Sequence, residues 1–223
     1  MARLFAGERP DRVAVLPQIG DHAGWVRGLT MDVIYHDPEA IAHAHVQAYR
    51  DYGYDVVSVQ VEPSWPVAEA CGCTVTYPPD KCPWITDPVI KGPDDVRRVS
   101  VPDFEAHPAT RTILEATRLL KAEIGGEAMV AGYMTGPLTF ALQLVPFNYF
   151  IVGMHKNPTF TEAVVRKATA IAKGFAEALL EAGADLLVVC EHDFQMFAPR
   201  TMREYSLPYL PEITAVFVHH SDA

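Results

Sequence analysis

Short apolar runs of strand length alternate along this chain with longer segments of helical period. That order restricts the fold more than any other feature, because it builds a parallel sheet or barrel in which each crossover helix delivers the next strand beside the last. Five runs stand out: Arg12–Leu16, Asp55–Val61, Ala128–Met134, Asp185–Cys190 and Ala215–His220. Asp185–Cys190 is continuously apolar, the pattern of a strand covered on both faces. Between the runs lie helical segments with clear ends. Asp37-Pro38-Glu39 opens a helix through Ala40–Tyr52 with a cap, a proline at the first position and an acid in the first turn, and Gly53 closes it. Pro108–Ile124 has helical spacing, Gly136-Pro137-Leu138-Thr139 turns into a helix through Leu144, Phe160–Ala182 carries a long apolar stripe that stops at Gly183, and Pro199–Tyr209 is helical.

The expected class is therefore α/β, a TIM-type (β/α)8 barrel that is incomplete, with about five β/α units in a single domain over residues 1–223. A closed barrel of eight takes about 250 residues. A fifth strand at the end of the chain would leave unpaired backbone groups, so the chain reads as a fragment, or as one partner of a homodimer that pairs this edge. Residues 62–101 interrupt the alternation with a proline-rich excursion holding Trp65, Trp84, Cys71, Cys73 and Cys82. Loops of such length are functional or disordered, and the tryptophans favour packing.

Charge and cysteines narrow the chemistry. The net charge of −10 repels a phosphate backbone, which argues against nucleic acid as a partner. Runs of about 18 apolar residues are absent, and Met1–Arg12 has no apolar core behind its positive charges, so neither a membrane span nor a secretory signal is indicated and a cytoplasmic location is expected. Cys71 and Cys73 are too close for a zinc ribbon, and reduced thiols are the expected state of all four cysteines.

Reacting groups in parallel β/α folds gather at the C-terminal ends of strands. Those ends offer Gln18, Asp21 and His22 after the first run, Glu62 after the second, Tyr133 and Thr135 around the third, Glu191, His192 and Asp193 after the fourth, and His219 to Asp222 after the fifth. Glu191 and His192 are neighbours on a strand, so only one of them can face the mouth. Thr135 has a competing role as a cap for the next helix. His36, His43 and His45 read as surface or core histidines, and Cys190 as a small buried hydrophobe.

The order and spacing of several segments resemble the uroporphyrinogen decarboxylase superfamily, which also holds methylcobalamin-dependent methyltransferases. They are Arg9-Pro10-Asp11-Arg12-Val13-Ala14-Val15, Asp37-Pro38-Glu39 leading to Tyr52-Gly53-Tyr54-Asp55, Ala68-Glu69-Ala70-Cys71-Gly72, Gly132-Tyr133-Met134-Thr135-Gly136-Pro137-Leu138-Thr139, Glu181-Ala182-Gly183-Ala184-Asp185 and His220-Ser221-Asp222. The decarboxylases' arginine-rich N-terminal motif is missing, their aspartate aligns with Pro63 beside Glu62, and their tyrosine aligns with Gln143. The resemblance therefore implies the methyltransferase branch, in which methyl passes between a corrinoid, free or on a partner protein, and a small thiol or folate-type acceptor. In that branch a His-x-Cys segment binds zinc, and His220 and Asp222 stand at its positions as implied ligands for zinc or another divalent metal. Among the strand-end groups, Glu62, Glu191 and His220 are the expected catalytic residues, with Gln18, His22, Tyr133, Thr135 and His192 around the substrate. A decarboxylase acting on a tetrapyrrole is the alternative enzyme, and a non-catalytic remnant or binding module the alternative of another class.

Overall fold

The computed structural model describes residues 4, 6–59 and 62–221. Its elements in chain order are α1 (His22–Trp25), α2 (Met31–His36), α3 (Pro38–Tyr52), β1 (Val56–Ser58), α4 (Ser64–Ala70), β2 (Thr74–Thr76), β3 (Trp84–Asp87), α5 (Pro93–Arg98), α6 (Pro108–Ile124), β4 (Met129–Thr135), α7 (Pro137–Leu144), α8 (Phe147–Lys156), α9 (Pro158–Glu181), β5 (Leu186–Cys190), a 3-10 turn (His192–Met196), α10 (Pro199–Tyr205) and α11 (Leu210–Ser221).

Parallel strands β1, β4 and β5 form one sheet in that order. Its register pairs Val56 with Met129, Ala131 with Leu186 and Tyr133 with Val188, so strand alternation sorts two faces. Val56, Ala131 and Tyr133 cluster on the inner face with Leu186, Val188 and Cys190. Val57, Val130 and Met134 look outward into the main core beneath α6 and α9. At Gly132 a Cβ would meet the Leu179 side chain at 3.0–3.2 Å, so α9 lies close on β4 there.

The helices end where local chemistry dictates. Asp37 Oδ1 accepts the Glu39 and Ala40 amides at 3.1 and 2.9 Å, and Gly53, at φ 66°, supplies the left-handed residue that stops α3. Asn157 caps α9 through the Phe160 amide at 3.2 Å. Helix α9 buries Phe160, Val164, Ala168, Ile171, Phe175 and Leu179 along one stripe.

Several expectations are corrected. Arg12–Leu16 runs extended beside β1 without a ladder: the Asp55 amide donates to the Val15 carbonyl at 3.0 Å, but the Val15 amide is taken by the Asp55 side chain at 2.8 Å. The expected fifth strand, Ala215–His220, is helix. Tyr209, Ile213 and Val216 are buried at helical spacing against α9, and the few residues after Pro211 leave no room to end one element and start another. Strand β5 is only half-buried along its length, because it is the edge of the sheet and not a strand covered on both sides. The 62–101 stretch is ordered as α4, the antiparallel β2–β3 pair and α5, with Trp65, Tyr77, Ile85 and Val89 packed on the core. Its cysteines are free thiols, as are all four, and burial pushes the Cys71 and Cys73 thiols up to about 12 and about 11. No single helix among the described residues is long and apolar enough to cross a membrane.

Candidate active site

At the C-terminal ends of β1, β4 and β5 the chain surrounds a hollow of about 220 Å3. Gln18 and Asp21 enter it from the segment before α1, Glu62 from beyond β1, Tyr133 from β4, and Cys190 and His192 from the end of β5. Its centre is an ion pair, His192 Nε2 to Glu62 Oε2 at 3.0 Å, which ties two strand ends together. Glu62 Oε1 also accepts the Ser64 amide at 3.2 Å, at the start of α4.

These contacts set the protonation states. His192 is raised to about 10 by the Cys190 sulfur as a hydrogen-bond acceptor and by the Glu62 carboxylate, so the ring is an imidazolium at neutral pH. Burial alone would raise Glu62, but hydrogen bonds from His192 and Ser64 and the histidine's charge outweigh it, and the net direction is downward. Asp21 moves the other way. Burial, then the nearby Glu62 charge, push it up to about 6, and its Oδ1 is buried with no hydrogen-bond partner among the described residues. The Tyr133 hydroxyl is unpartnered too, on a side chain only 5% exposed. Tyr35 adds a second buried phenol close to Asp21 and Glu62.

A larger hollow of about 980 Å3 lies at the opposite ends of the strands, between Asp55, Met129, Asp185 and the face of α11. Two of its three lining carboxylates, Asp55 and Asp185, are already occupied, and Glu127 is the third. Asp55 pairs with Arg12 at 2.7 Å, and Asp185 pairs with Lys121 at 2.5 Å while accepting the Val130 amide at 2.9 Å. Reacting groups therefore belong to the smaller hollow, where parallel β/α folds place them.

Of the residues expected at the site, Gln18, Glu62, Tyr133 and His192 meet in this hollow. Glu191 does not. Its carboxylate folds back over the N-terminus of α7, accepting the Leu138 and Thr139 amides at 3.1 and 2.8 Å and the Ser206 hydroxyl at 2.5 Å. It thereby takes the capping role expected of Thr135, which is buried with its hydroxyl unpartnered and makes no cap. Gly136 makes the reach possible, since a Cβ there would stand 2.5 Å from the Glu191 carboxyl carbon. His22 also points elsewhere, its Nε2 3.2 Å from the Tyr52 hydroxyl. Asp222 and the side chain of His220 lie outside the described residues, so the expected metal pair is not placed.

Asp21, offered by the first strand end but not carried among the expected substrate contacts, also lines the hollow, and so does Cys190, which its apolar strand made read as a small buried hydrophobe. Among the described residues no three His, Cys, Asp or Glu side chains gather as a metal group, and Glu62 and His192 are paired with each other.

The chain is 25% identical over 192 residues to a uroporphyrinogen decarboxylase of Salinibacter ruber, covering 83% of this chain and 53% of that protein. It is 24% identical over 207 residues to the methylcobamide:CoM methyltransferase MtaA of Methanosarcina barkeri, covering 91% and 58% respectively. The chain thus spans about half the length of the curated relatives it matches. Its fold superposes on a solved methyltransferase from Methanosarcina mazei with a TM-score of 0.84, covering 96% of this chain and 65% of that one at 22% identity. The family description "Uroporphyrinogen decarboxylase (URO-D)" matches residues 1–222, and the chain belongs to that family.

Proposed function

We propose that the hollow at the strand ends is the acceptor site of a methyl transfer from a corrinoid, free or carried by a partner protein, to a small thiol or folate-type acceptor. The observation that carries this reading is the Glu62–His192 ion pair facing a small cavity with no lysine or arginine in its lining among the described residues. A tetrapyrrole bearing many carboxylates calls for basic partners, and a volume of about 220 Å3 is below the about 300–1,000 Å3 of pockets that hold drug-sized ligands. A small acceptor suits both limits.

The chemistry asked of the protein is modest. A free thiol has a pKa near about 8.5, and a neighbouring cation lowers it. His192, kept positive by Cys190 and Glu62, is that cation. The thiol proton leaves to water at the open mouth, and the sulfur lone pair forms the new S–C bond. The Co–C bond of the donor breaks with its electron pair left on cobalt, which passes from Co(III) to Co(I). Glu62 orients the imidazolium, and Gln18 and Tyr133 line the space in which the acceptor turns.

The test is to mix the full chain with methylcobalamin and a small thiol and to follow the cobalamin spectrum. Thiol-dependent loss of methylcobalamin is expected, with His192→Ala lowering kcat/KM by about 100- to 1,000-fold, the scale of one electrostatic stabiliser. Conversion of uroporphyrinogen to coproporphyrinogen without methyl transfer would replace this reading with the decarboxylase one. Full methyl transfer by His192→Ala would remove the histidine from it.

A further inference from the structure

Glu62 and His192 neutralise one another, which leaves Asp21 as the one uncompensated charge in the lining among the described residues. Two features point to a partner from outside. Asp21 Oδ1 is shut away from water with no hydrogen-bond partner among the described residues, and the Tyr133 phenol, on a side chain 5% exposed, is in the same condition on the wall of the same hollow. A buried polar group left unsatisfied costs about 1–3 kcal/mol, so each is a place where a ligand gains by supplying a donor. An ammonium group supplies three donors and a positive charge and needs no acceptor in return. A sulfonate or carboxylate supplies acceptors only, and would sit against Asp21 and Glu62 with no lysine or arginine to offset the repulsion. Burial and the Glu62 charge already strain Asp21 toward its neutral form, the condition a cation relieves and an anion worsens.

We infer that the ligand of this hollow carries a protonated amine head group, seated on the Asp21 carboxylate with the Tyr133 hydroxyl as its second acceptor. This rests on the methyl-transfer reading only for the identity of the ligand's other end, where an aminothiol would present its sulfur to His192.

Calorimetric titration of the full chain with ethylammonium, ethanol and ethanesulfonate at pH 7.5 and low salt tests the head group without any turnover. Ethylammonium is expected to bind at least about ten-fold tighter than ethanesulfonate, the scale of a charge-assisted hydrogen bond. That preference falls below about three-fold in Asp21→Asn, whose fold is checked by its thermal transition, and narrows in Tyr133→Phe. Equal or tighter binding of ethanesulfonate, no binding of ethylammonium, or an unchanged preference in a folded Asp21→Asn overturns the assignment.

Methyl transfer to 2-aminoethanethiol, 2-mercaptoethanol and 2-mercaptoethanesulfonate then separates the two readings. Faster methylation of the sulfonate overturns the amine assignment and keeps methyl transfer. Ethylammonium binding with no thiol methylated keeps the amine assignment and overturns methyl transfer.

Discussion

His192 and His45 are moved in opposite directions by their surroundings, and each gives a measurable signature. The raised value of His192 means that its contribution to stability is whole below its ordinary 6.5 and is lost as pH climbs through about 10. Glu62 is lowered, so its contribution is present above its ordinary 4.5 and disappears as pH falls. The ion pair is thus intact from mildly acid to mildly alkaline pH. The His192 ring resonances are expected to stay unmoved between pH 5 and 8 by NMR, and Glu62→Gln should bring the titration back toward neutral; a wild-type midpoint near 6.5 would contradict the pair.

His45 is fully buried with both ring nitrogens unpartnered among the described residues, and burial lowers it to about 4. Its neutral form favours the fold above pH 6.5, and that advantage drains away as pH falls through about 4, in total roughly 3 kcal/mol. Urea midpoints at pH 7.5 and 4.5 should therefore separate more widely for the wild type than for His45→Leu.

At the scale of an element, the N-terminus of α7 depends on a side chain from another strand. Glu191 comes from the end of β5 and satisfies two amides that would otherwise be orphaned. Losing such a cap costs about 0.5–2 kcal/mol. Glu191→Ala should lower the thermal midpoint by a few degrees while leaving the His192 resonances in place. Gly136→Ala should do the same by pushing Glu191 aside, although its φ of −70° suits any residue. A Glu191→Ala protein of unchanged stability would show that the cap is idle.

The same strand end shows why only part of the site could be read in advance. Alternation requires that one of Glu191 and His192 face the mouth, but which one depends on Gly136 leaving room for the carboxylate to fold back, a contact 55 positions away along the chain. Asp21 and His22 pose the same problem of phase.

Across the whole molecule, the strands Ala128–Met134 and Asp185–Cys190 and the helices with caps and terminal glycines were legible within a residue or two, because each signal is local, whereas Asp55–Val61 is strand only over Val56–Ser58 among the described residues and Arg12–Leu16 joins no ladder. Ala215–His220 was not legible. Its valines and phenylalanine suit a strand and a helix equally, and packing against α9 decides for the helix. The half-buried state of β5 was illegible for a related reason, since a run of apolar residues says nothing of its neighbours. The hairpin within residues 62–101 carries weak alternation and is held by packing of Tyr77 and Ile85 on the core.

That edge position has an outcome in exchange experiments. Along β5 the peptide groups turned toward β4 are locked in hydrogen bonds, whereas no strand pairs with the other side among the described residues. Placed in deuterium oxide, one strand should label at two speeds, fast and slow amides interleaved. Such a comb of protected and open positions would mark where this sheet is ready to take on another strand.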